Sequence, residues 1–184
     1  SKAVTAQEQT VAQAYGEYQR RLMLASAVDF DDLIGHTVAL LQAFPDVAEH
    51  YHRRFRHVLV DEYQDTNHAQ YILIRELVGT GKDGLPPAEL CVVGDADQSI
   101  YAFRGANIRN IVEFERDYSN AETVVLEQNY RSTQNILTSA NSVIEKNSGR
   151  PAKRLWTAEG SGEKIVIYTA NDEHHEADFI VNNI

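Results

Sequence analysis

Residues 57–66 have the sequence HVLVDEYQDT, a short β-branched run that ends in two adjacent acids. The first four residues are typical of a buried strand, and the polar residues after them mark the end of that strand. A helical pattern follows at residues 67–78, with Ile72, Leu73 and Leu77 predicted to point inward. A second buried run, residues 89–93, comes after a loop rich in glycine and proline. A strand, a helix and another strand at this spacing predict an α/β fold with a parallel sheet.

The segments on either side of this unit differ in kind. Residues 1–55 show only helical periodicity, with Asp29 as the expected N-cap of a helix that ends at Pro45. Because ligands of parallel sheets bind at the carboxyl ends of the strands, we expect the chemistry directly after each strand. The other elements that the pattern predicts are helices at 108–118, 133–146 and 173–184, and strands at 123–126 and 164–169. Ser132 or Thr133 is the expected cap of the second of these helices, and its expected apolar face consists of Ile136, Leu137, Ala140, Val143 and Ile144.

The composition is that of a globular protein from a reducing compartment. Hydrophobic residues make up 43% of the chain, which argues against disorder, and the net charge is -10. Bulk charge does not exclude nucleic acid, because a basic groove can lie on an acidic protein. The single cysteine, Cys91, is expected to be a small buried core residue. No apolar run reaches the roughly 20 residues of a membrane span, so we expect a cytoplasmic protein without a membrane partner.

Two acids, Asp61 and Glu62, follow the first predicted strand. An aspartate at a strand tip can hold Mg²⁺ beside nucleotide phosphates, and a glutamate one residue later can orient or deprotonate the attacking water. The alternative is a solvated acidic turn that caps the next helix. The apolar strand before the pair and the complete run DEYQDT favour the chemical interpretation.

The second predicted strand is followed by GDADQSIYAFRGA, residues 94–106. Gln98 can bond a terminal phosphate or a water molecule. Tyr101, Phe103 and Arg104 combine two aromatic rings and a cation, a set that suits stacking on bases and binding a backbone phosphate. The alternative is a turn in which both rings pack inward.

Arg131 lies in the run EQNYRS, directly after the third predicted strand and before a helix. A cation at this position can reach into a neighbouring cleft and offset charge on a transferring phosphoryl group. A surface salt bridge is the alternative.

The dipeptide Gly81-Lys82 does not form a phosphate-binding loop. That pattern needs a glycine five residues before the second glycine and a hydroxyl residue after the lysine. Glu76 and Asp83 occupy those two places. The chain therefore carries the residues expected to handle metal and water, without the loop that would hold the phosphates.

Taken together, the three runs resemble the UvrD/PcrA/Rep group of superfamily 1 DNA helicases, most closely its PcrA/UvrD branch. DEYQDT is similar to the Walker B motif of that family, GDADQSIYAFRGA to its third motif and LEQNYRST to its fourth. The runs DFDDLI, KRLWT and EAxFI extend the resemblance over nearly the whole chain.

This resemblance implies a fold made of RecA-like parallel sheet pieces, of the P-loop NTPase class, preceded by an all-helical segment. Residues 1–55 would be the C-terminal part of helical subdomain 1B. Residues 56–126 would be the C-terminal half of RecA-like domain 1A, and residues 127–184 the start of RecA-like domain 2A.

The resemblance also implies roles on the nucleotide side of the site. Asp61 would bind Mg²⁺ and Glu62 would be the catalytic base. Gln98 would contact the γ-phosphate, Tyr130 would stack on the adenine, and Arg131 would act as an arginine finger.

On the nucleic-acid side, the resemblance assigns contacts with single-stranded DNA to Tyr101, Phe103 and Arg104. Many relatives carry tryptophan where this chain has Phe103, and a smaller ring stacks less strongly on a base.

The activity that the resemblance implies is ATP-dependent DNA unwinding in repair or replication. The parent enzyme would use ATP and Mg²⁺, translocate 3′ to 5′ on single-stranded DNA, and act on single-stranded and partial-duplex DNA. We expect this chain to be an internal segment of that enzyme and, lacking the Walker A loop, to be inactive by itself. Two alternatives remain open: a helicase-like module that binds DNA without hydrolysis, and an RNA-directed or nuclease-fused helicase of the same superfamily.

Overall fold

The computed structural model describes residues 5–147 and 153–183. They fall into two compact units, Ser1–Ser119 and Asn120–Ile184, called the first and the second unit below. No helix within the described residues combines the length and the apolar character needed to cross a membrane.

The first unit opens with helices, as predicted. Asp29 is the N-cap of the second helix, and it forms a capping box in which Asp32 bonds back to its backbone. Pro45 follows the end of that helix and is the first residue of the next, a position where proline costs no hydrogen bond. The three helices are α1 (Ala6–Leu24), α2 (Phe30–Ala43) and α3 (Pro45–Arg54).

A parallel pair of strands joined by one helix forms the centre of the first unit and confirms the predicted α/β arrangement. Val58 pairs with Leu90 and Val60 with Val92, and these side chains pack toward the core. Cys91 lies on the opposite face of the sheet and is exposed, so the expectation of a buried cysteine is wrong. Successive side chains of a strand point to opposite faces, and only one face of this sheet is covered. The elements are β1 (His57–Val60), α4 (His68–Val78) and β2 (Glu89–Val92).

The inward face of α4 differs slightly from the predicted one. Ile74 and Val78 are buried against the sheet. Because two strands cover only a narrow stripe of the helix, the residues expected to point inward, Ile72, Leu73 and Leu77, are only half-buried.

The helix predicted at residues 108–118 is two short helices. α5 (Arg109–Val112) and α6 (Phe114–Asp117) are separated at Glu113, whose ψ of 9° departs from the helical value.

Helices are the only regular elements among the described residues of the second unit, α7 (Gln134–Ile144) and α8 (Glu173–Asn183). The strands predicted at 123–126 and 164–169 are wrong, since neither run pairs with a neighbour in the described residues. Val124 and Val166 stay 72% and 76% exposed. A strand needs a second segment within hydrogen-bonding reach, and an apolar run by itself does not supply one.

The buried face of α7 is narrower than predicted. Leu137 and Asn141 are buried, whereas Ile136 and Val143, expected on the same inward face, are exposed. Thr133 occupies the N-cap position without a side-chain hydrogen bond to the helix.

Candidate functional site

The tip of β1 presents Asp61 and Glu62, both exposed to solvent. Glu62 adopts a left-handed backbone conformation, with φ 49° and ψ 43°, and its N–H donates to Asp61 Oδ1 at 2.9 Å. A non-glycine residue in this region costs on the order of 1–3 kcal/mol, a strain that clusters at functional sites. Because Asn67 is the N-cap of α4, the two acids are not the cap of that helix.

Gln64, two residues after Glu62, has a buried side-chain amide. This amide forms hydrogen bonds both to the run after β1 and to the run after β2. Its Nε2 donates to Glu62 Oε2 at 2.8 Å, and its Oε1 accepts from the Asp95 N–H at 3.0 Å. A Cβ at Gly94 would lie 2.6 Å from Gln64 Oε1, so only glycine allows the chain that leaves β2 to pass this close. We assigned no role to Gln64 from the sequence, where its one signal is a neutral amide inside an acidic run.

The turn after β2 carries Gln98. Asp95 shapes this turn: its Oδ1 accepts from the Asp97 N–H at 2.9 Å and its Oδ2 accepts from Gln98 Nε2 at 2.8 Å. Hydrogen bonds therefore run without a break from Glu62 through Gln64 and Asp95 to Gln98, which joins two residues that the sequence assigns to the same chemistry.

A second buried amide, Asn110 at the start of α5, ties the run 94–106 to the other end of DEYQDT. Its Nδ2 donates to the carbonyl of Thr66 at 3.1 Å and to Thr66 Oγ1 at 3.0 Å. The Asn107 N–H also donates to the carbonyl of Thr66 at 3.0 Å, and Asn67 bridges to Ala106. Hydrogen bonds therefore attach the run 94–106 to DEYQDT at both ends of the run.

The surface between these two sets of hydrogen bonds carries Tyr101, Phe103 and Arg104. Phe103 is 79% exposed, which removes the alternative of a turn with both rings packed inward. The Arg104 guanidinium lies 4.9 Å from the centroid of the Tyr101 ring and 5.4 Å from that of Phe103. Two exposed rings with a cation over them can stack on bases and bind a phosphate.

In the second unit, the run 127–132 exposes Tyr130 and Arg131. Asn129 Oδ1 accepts from the N–H groups of Arg131 and Ser132, a local turn that fixes the backbone but leaves both side chains in solvent. The strand-like contact of this run is a parallel bridge between Gln128 and Trp156.

The N-terminus of α7, just after Arg131, is filled by the chain itself. The N–H groups of Gln134 and Asn135 donate to the carbonyls of Gly160 and Ser161, at 2.8 and 3.0 Å. These two donors are therefore not available to an anion.

A divalent cation fits the tip of β1 on the chemistry of its donors. Asp61 is exposed, and no group of three or more potential metal ligands occurs among the described residues. Mg²⁺ in nucleotide sites is commonly held by one or two carboxylates, water and phosphate oxygens rather than by a cage of protein ligands. One exposed aspartate beside a glutamate matches that kind of site.

A cavity of about 230 Å³ lies elsewhere in the first unit, against α4 and α6. Tyr71, Arg75 and Tyr118 line it, and the Tyr71 hydroxyl donates to Asp117 Oδ2 at 3.0 Å. Burial and this hydrogen bond raise the pKa of Tyr71. None of the residues that the sequence singles out lines this cavity, so the candidate site is the open tip of β1.

Comparison with known proteins identifies close relatives. The chain is 70% identical over 175 residues to the ATP-dependent DNA helicase UvrD1 of Mycobacterium tuberculosis. It is 54% identical over 177 residues to the ATP-dependent DNA helicase PcrA of Leuconostoc citreum, and 52% identical over 176 residues to PcrA of Staphylococcus aureus. These alignments cover 95–96% of this chain but 23% of each relative, so the chain spans about a quarter of their length.

Two family profiles match in succession, and their boundary falls near that between the two units. The UvrD/REP helicase N-terminal domain matches residues 1–119, and the UvrD-like helicase C-terminal domain matches residues 124–184. With nearly every residue inside one of the two matches, and with the strand-tip acids and the aromatic turn in the first, this chain belongs to the UvrD/REP helicase family.

Proposed function

We propose that this chain is the part of an ATP-dependent DNA helicase that positions the catalytic metal, the attacking water and single-stranded DNA. The observation that carries the proposal is the exposed pair Asp61 and Glu62, held at the tip of β1 and hydrogen-bonded through Gln64 to the turn with Gln98. The names of the relatives, ATP-dependent DNA helicases UvrD1 and PcrA, support it.

On the nucleotide side, Mg²⁺ held by Asp61 would neutralise phosphate charge when bound. Glu62 takes the proton of the attacking water: its Oε2 is occupied by Gln64, which leaves Oε1 to accept from that water. Gln98 contacts the terminal phosphate from the neighbouring turn. Tyr130 and Arg131 are proposed to stack on the adenine and to offset the charge of the transferring phosphoryl group.

On the DNA side, Tyr101 and Phe103 stack on bases, and Arg104 binds a backbone phosphate. The run that bears them begins at Asp95 and ends at Asn107, and both ends are bonded to DEYQDT. These hydrogen bonds give a short path by which a change at the hydrolytic pair can reach the DNA-binding turn, which suits an enzyme that couples hydrolysis to translocation from 3′ to 5′.

The proposed organisation assigns residues 1–55 to helical subdomain 1B, 56–126 to the C-terminal half of a RecA-like domain 1A, and 127–184 to the start of a RecA-like domain 2A. The 184 residues by themselves are expected to hydrolyse no ATP, because no phosphate-binding loop occurs in their sequence. Mg²⁺-dependent turnover by the isolated chain, abolished by Glu62→Gln, would contradict this.

The test uses the full-length protein and compares Glu62→Gln with wild type. We expect DNA-stimulated ATP hydrolysis to fall by about 10²- to 10⁴-fold, the usual contribution of a general base, with ATP binding retained. Glu89→Gln is the matched control, since Glu89 is an exposed glutamate on β2 and its change leaves the rate unaltered.

Unwinding assays on the same protein complete the test. Partial duplexes with a 3′ or a 5′ single-stranded tail report the direction of travel, and an RNA duplex reports the substrate class. A wild-type protein that binds DNA but hydrolyses no ATP, or a Glu62→Gln variant that keeps its rate, would overturn the proposal.

A further inference from the structure

Gln64 is 1% exposed, although the short 3₁₀ helix that contains it, Tyr63–Asp65, lies between two exposed acids and a surface turn. A buried amide is costly unless its donors and its acceptor are used, and here both are. The orientation of the amide is unambiguous on chemical grounds. Nε2 faces the carboxylates of Glu62 and Asp65, at 2.8 and 3.4 Å, while Oε1 faces the N–H of Asp95. The reverse orientation would set an oxygen against two carboxylates and an amide donor against an N–H.

The surroundings leave this amide little freedom. The backbone of Gly94 also passes close to Oε1: a Cβ on Gly94 would lie 2.6 Å from Gln64 Oε1 and 2.9 Å from Ile111 Cδ1, both too close, and 3.1 Å from the backbone nitrogen of Tyr63. The Tyr63 N–H itself donates to the carbonyl of Val93 at 2.9 Å. Gln64 is therefore packed tightly between the two strand ends. Its amide holds the Glu62 carboxylate on the side that faces the core, and the packing limits the movement of this amide.

From this geometry we propose that Gln64 is a positioning residue for Glu62, which it aims at the attacking water and keeps in register with the Asp95–Gln98 turn. The inference rests on the proposed function, since it concerns the orientation of the proposed general base. Gln64 touches neither nucleotide nor metal in this role, and it acts through the Glu62 carboxylate. Glu62 is exposed, so packing does little to hold its carboxylate, and the bond from Gln64 fixes its direction.

The experiment measures steady-state ATP hydrolysis by the full-length protein with single-stranded DNA in excess. Gln64→Leu removes the bond to Glu62 with little change in volume. We expect kcat to fall by about 10- to 100-fold, the usual effect of losing a residue that orients a catalytic group, with KM for ATP unchanged within about twofold. Gln42→Leu is the matched control, because Gln42 Nε2 also donates to a glutamate, Glu76, at 2.8 Å but on the exposed surface of α2 and α4.

A double-mutant cycle separates positioning from a purely structural role. In the Glu62→Gln background, measured by single turnover, Gln64→Leu should cause a much smaller further loss than in wild type, because the carboxylate it acts through is gone and only the bond to the Asp95 N–H is still removed. A merely structural residue would lower the rate by the same factor in both backgrounds, and that result would overturn the inference.

Gln64→Glu is the second variant, in case Gln64→Leu does not fold. It keeps an acceptor for the Asp95 N–H but sets a second carboxylate against Glu62, so kcat should fall at least as far as in Gln64→Leu. A kcat within twofold of wild type in either variant contradicts the inference while the proposed function stands. An inactive wild type, or an active Glu62→Gln, contradicts the proposed function itself.

Discussion

The two units of this chain hold their functional runs in different ways. In the first unit, DEYQDT is locked by buried groups: Tyr63 and Gln64 are almost inaccessible, and Thr66 is bonded to Asn110. In the second unit, backbone hydrogen bonds to Trp156 and one local turn hold the run 127–132. Its two candidate side chains, those of Tyr130 and Arg131, lie in solvent.

This difference matches what each run is proposed to do. A general base must be held within a fraction of an ångström and a few tens of degrees, which requires packed neighbours that are themselves fixed. A stacking ring and a cation that meet a ligand need exposure, and Tyr130 is 76% exposed. The first unit therefore holds its proposed general base in position through its own packed neighbours. The second unit exposes its candidate side chains on a short run of chain.

Truncation of the core residue of each unit should give the largest contrast. Leu137 is the one hydrophobic side chain buried among the described residues of the second unit, whereas the first unit keeps Tyr63 and Val78 if Ile74 is removed. Leu→Ala and Ile→Ala changes in cores each cost about 2–5 kcal/mol. We expect Leu137→Ala to abolish hydrogen-exchange protection in α7, and Ile74→Ala to reduce but not abolish protection in α4.

Ile136→Ala is the control for this contrast. Ile136 neighbours Leu137 on α7 but is 48% exposed, so its truncation should cost about 1 kcal/mol or less. If Leu137→Ala leaves α7 as protected as Ile136→Ala does, the second unit does not depend on this residue and the contrast between the units fails.

The same contrast explains which features the sequence could predict. β1, α4 and β2 were predictable, because their pattern and their pairing partners both lie within 36 residues, 57–92. The runs 123–126 and 164–169 have the same apolar character, yet they form no strand among the described residues, because pairing is a property of two segments and not of one.

The candidate site was predictable only in part, for a related reason. Asp61, Glu62 and Gln98 follow from strand tips and residue chemistry, whereas Gln64 and Asn110 matter because of contacts 31 and 44 residues away in sequence. Burial of a polar side chain is decided by tertiary packing, and no periodicity in the run DEYQDT reveals it.

A smaller effect is expected at the buried hydroxyl of Tyr63. This side chain is fully buried, its ring packs edge-on against Phe114 at 5.7 Å, and its hydroxyl has no hydrogen-bond partner within the described residues. Burial raises the pKa of this hydroxyl well above its ordinary value. Tyr63→Phe removes an unsatisfied polar group and keeps the ring, so local stability should rise by about 1 kcal/mol.

Hydrogen exchange of the peptide that spans α4 in the full-length protein measures this change. Tyr71→Phe is the control, because the Tyr71 hydroxyl is bonded to Asp117 and its loss should lower protection instead. Equal losses in both variants would mean that the Tyr63 hydroxyl has a partner, and the first unit would then be less completely packed than its geometry indicates.

The smallest effect is expected at the loop after α4, whose bonds depend on pH. His52 Nδ1 lies 2.6 Å from Asp83 Oδ2, and its Nε2 lies 2.6 Å from the carbonyl of Glu76. Both partners are acceptors, so only the doubly protonated ring satisfies both. Burial lowers the pKa of His52, but the bonds to Asp83 and Glu76 outweigh it and raise the pKa above 6.5. The hydrogen bond to His52 is the main reason that the pKa of Asp83 lies below 3.8.

The signs of these two shifts set the pH window. The contribution of His52 to stability is complete below about pH 6.5 and is lost as pH rises through its raised pKa, while that of Asp83 is complete above about pH 3.8 and is lost as pH falls through its lowered pKa. Protection of the loop at residues 79–88, corrected for intrinsic exchange, should therefore fall as pH rises above about 6.5 and through the raised pKa of His52. His52→Gln should remove this dependence, since its amide does not titrate. A fall of equal size in His52→Gln would assign the pH dependence to another group. A fall confined to wild type would show that a charged hydrogen bond of His52 holds this distant loop. The candidate site, by contrast, is held by neutral buried amides.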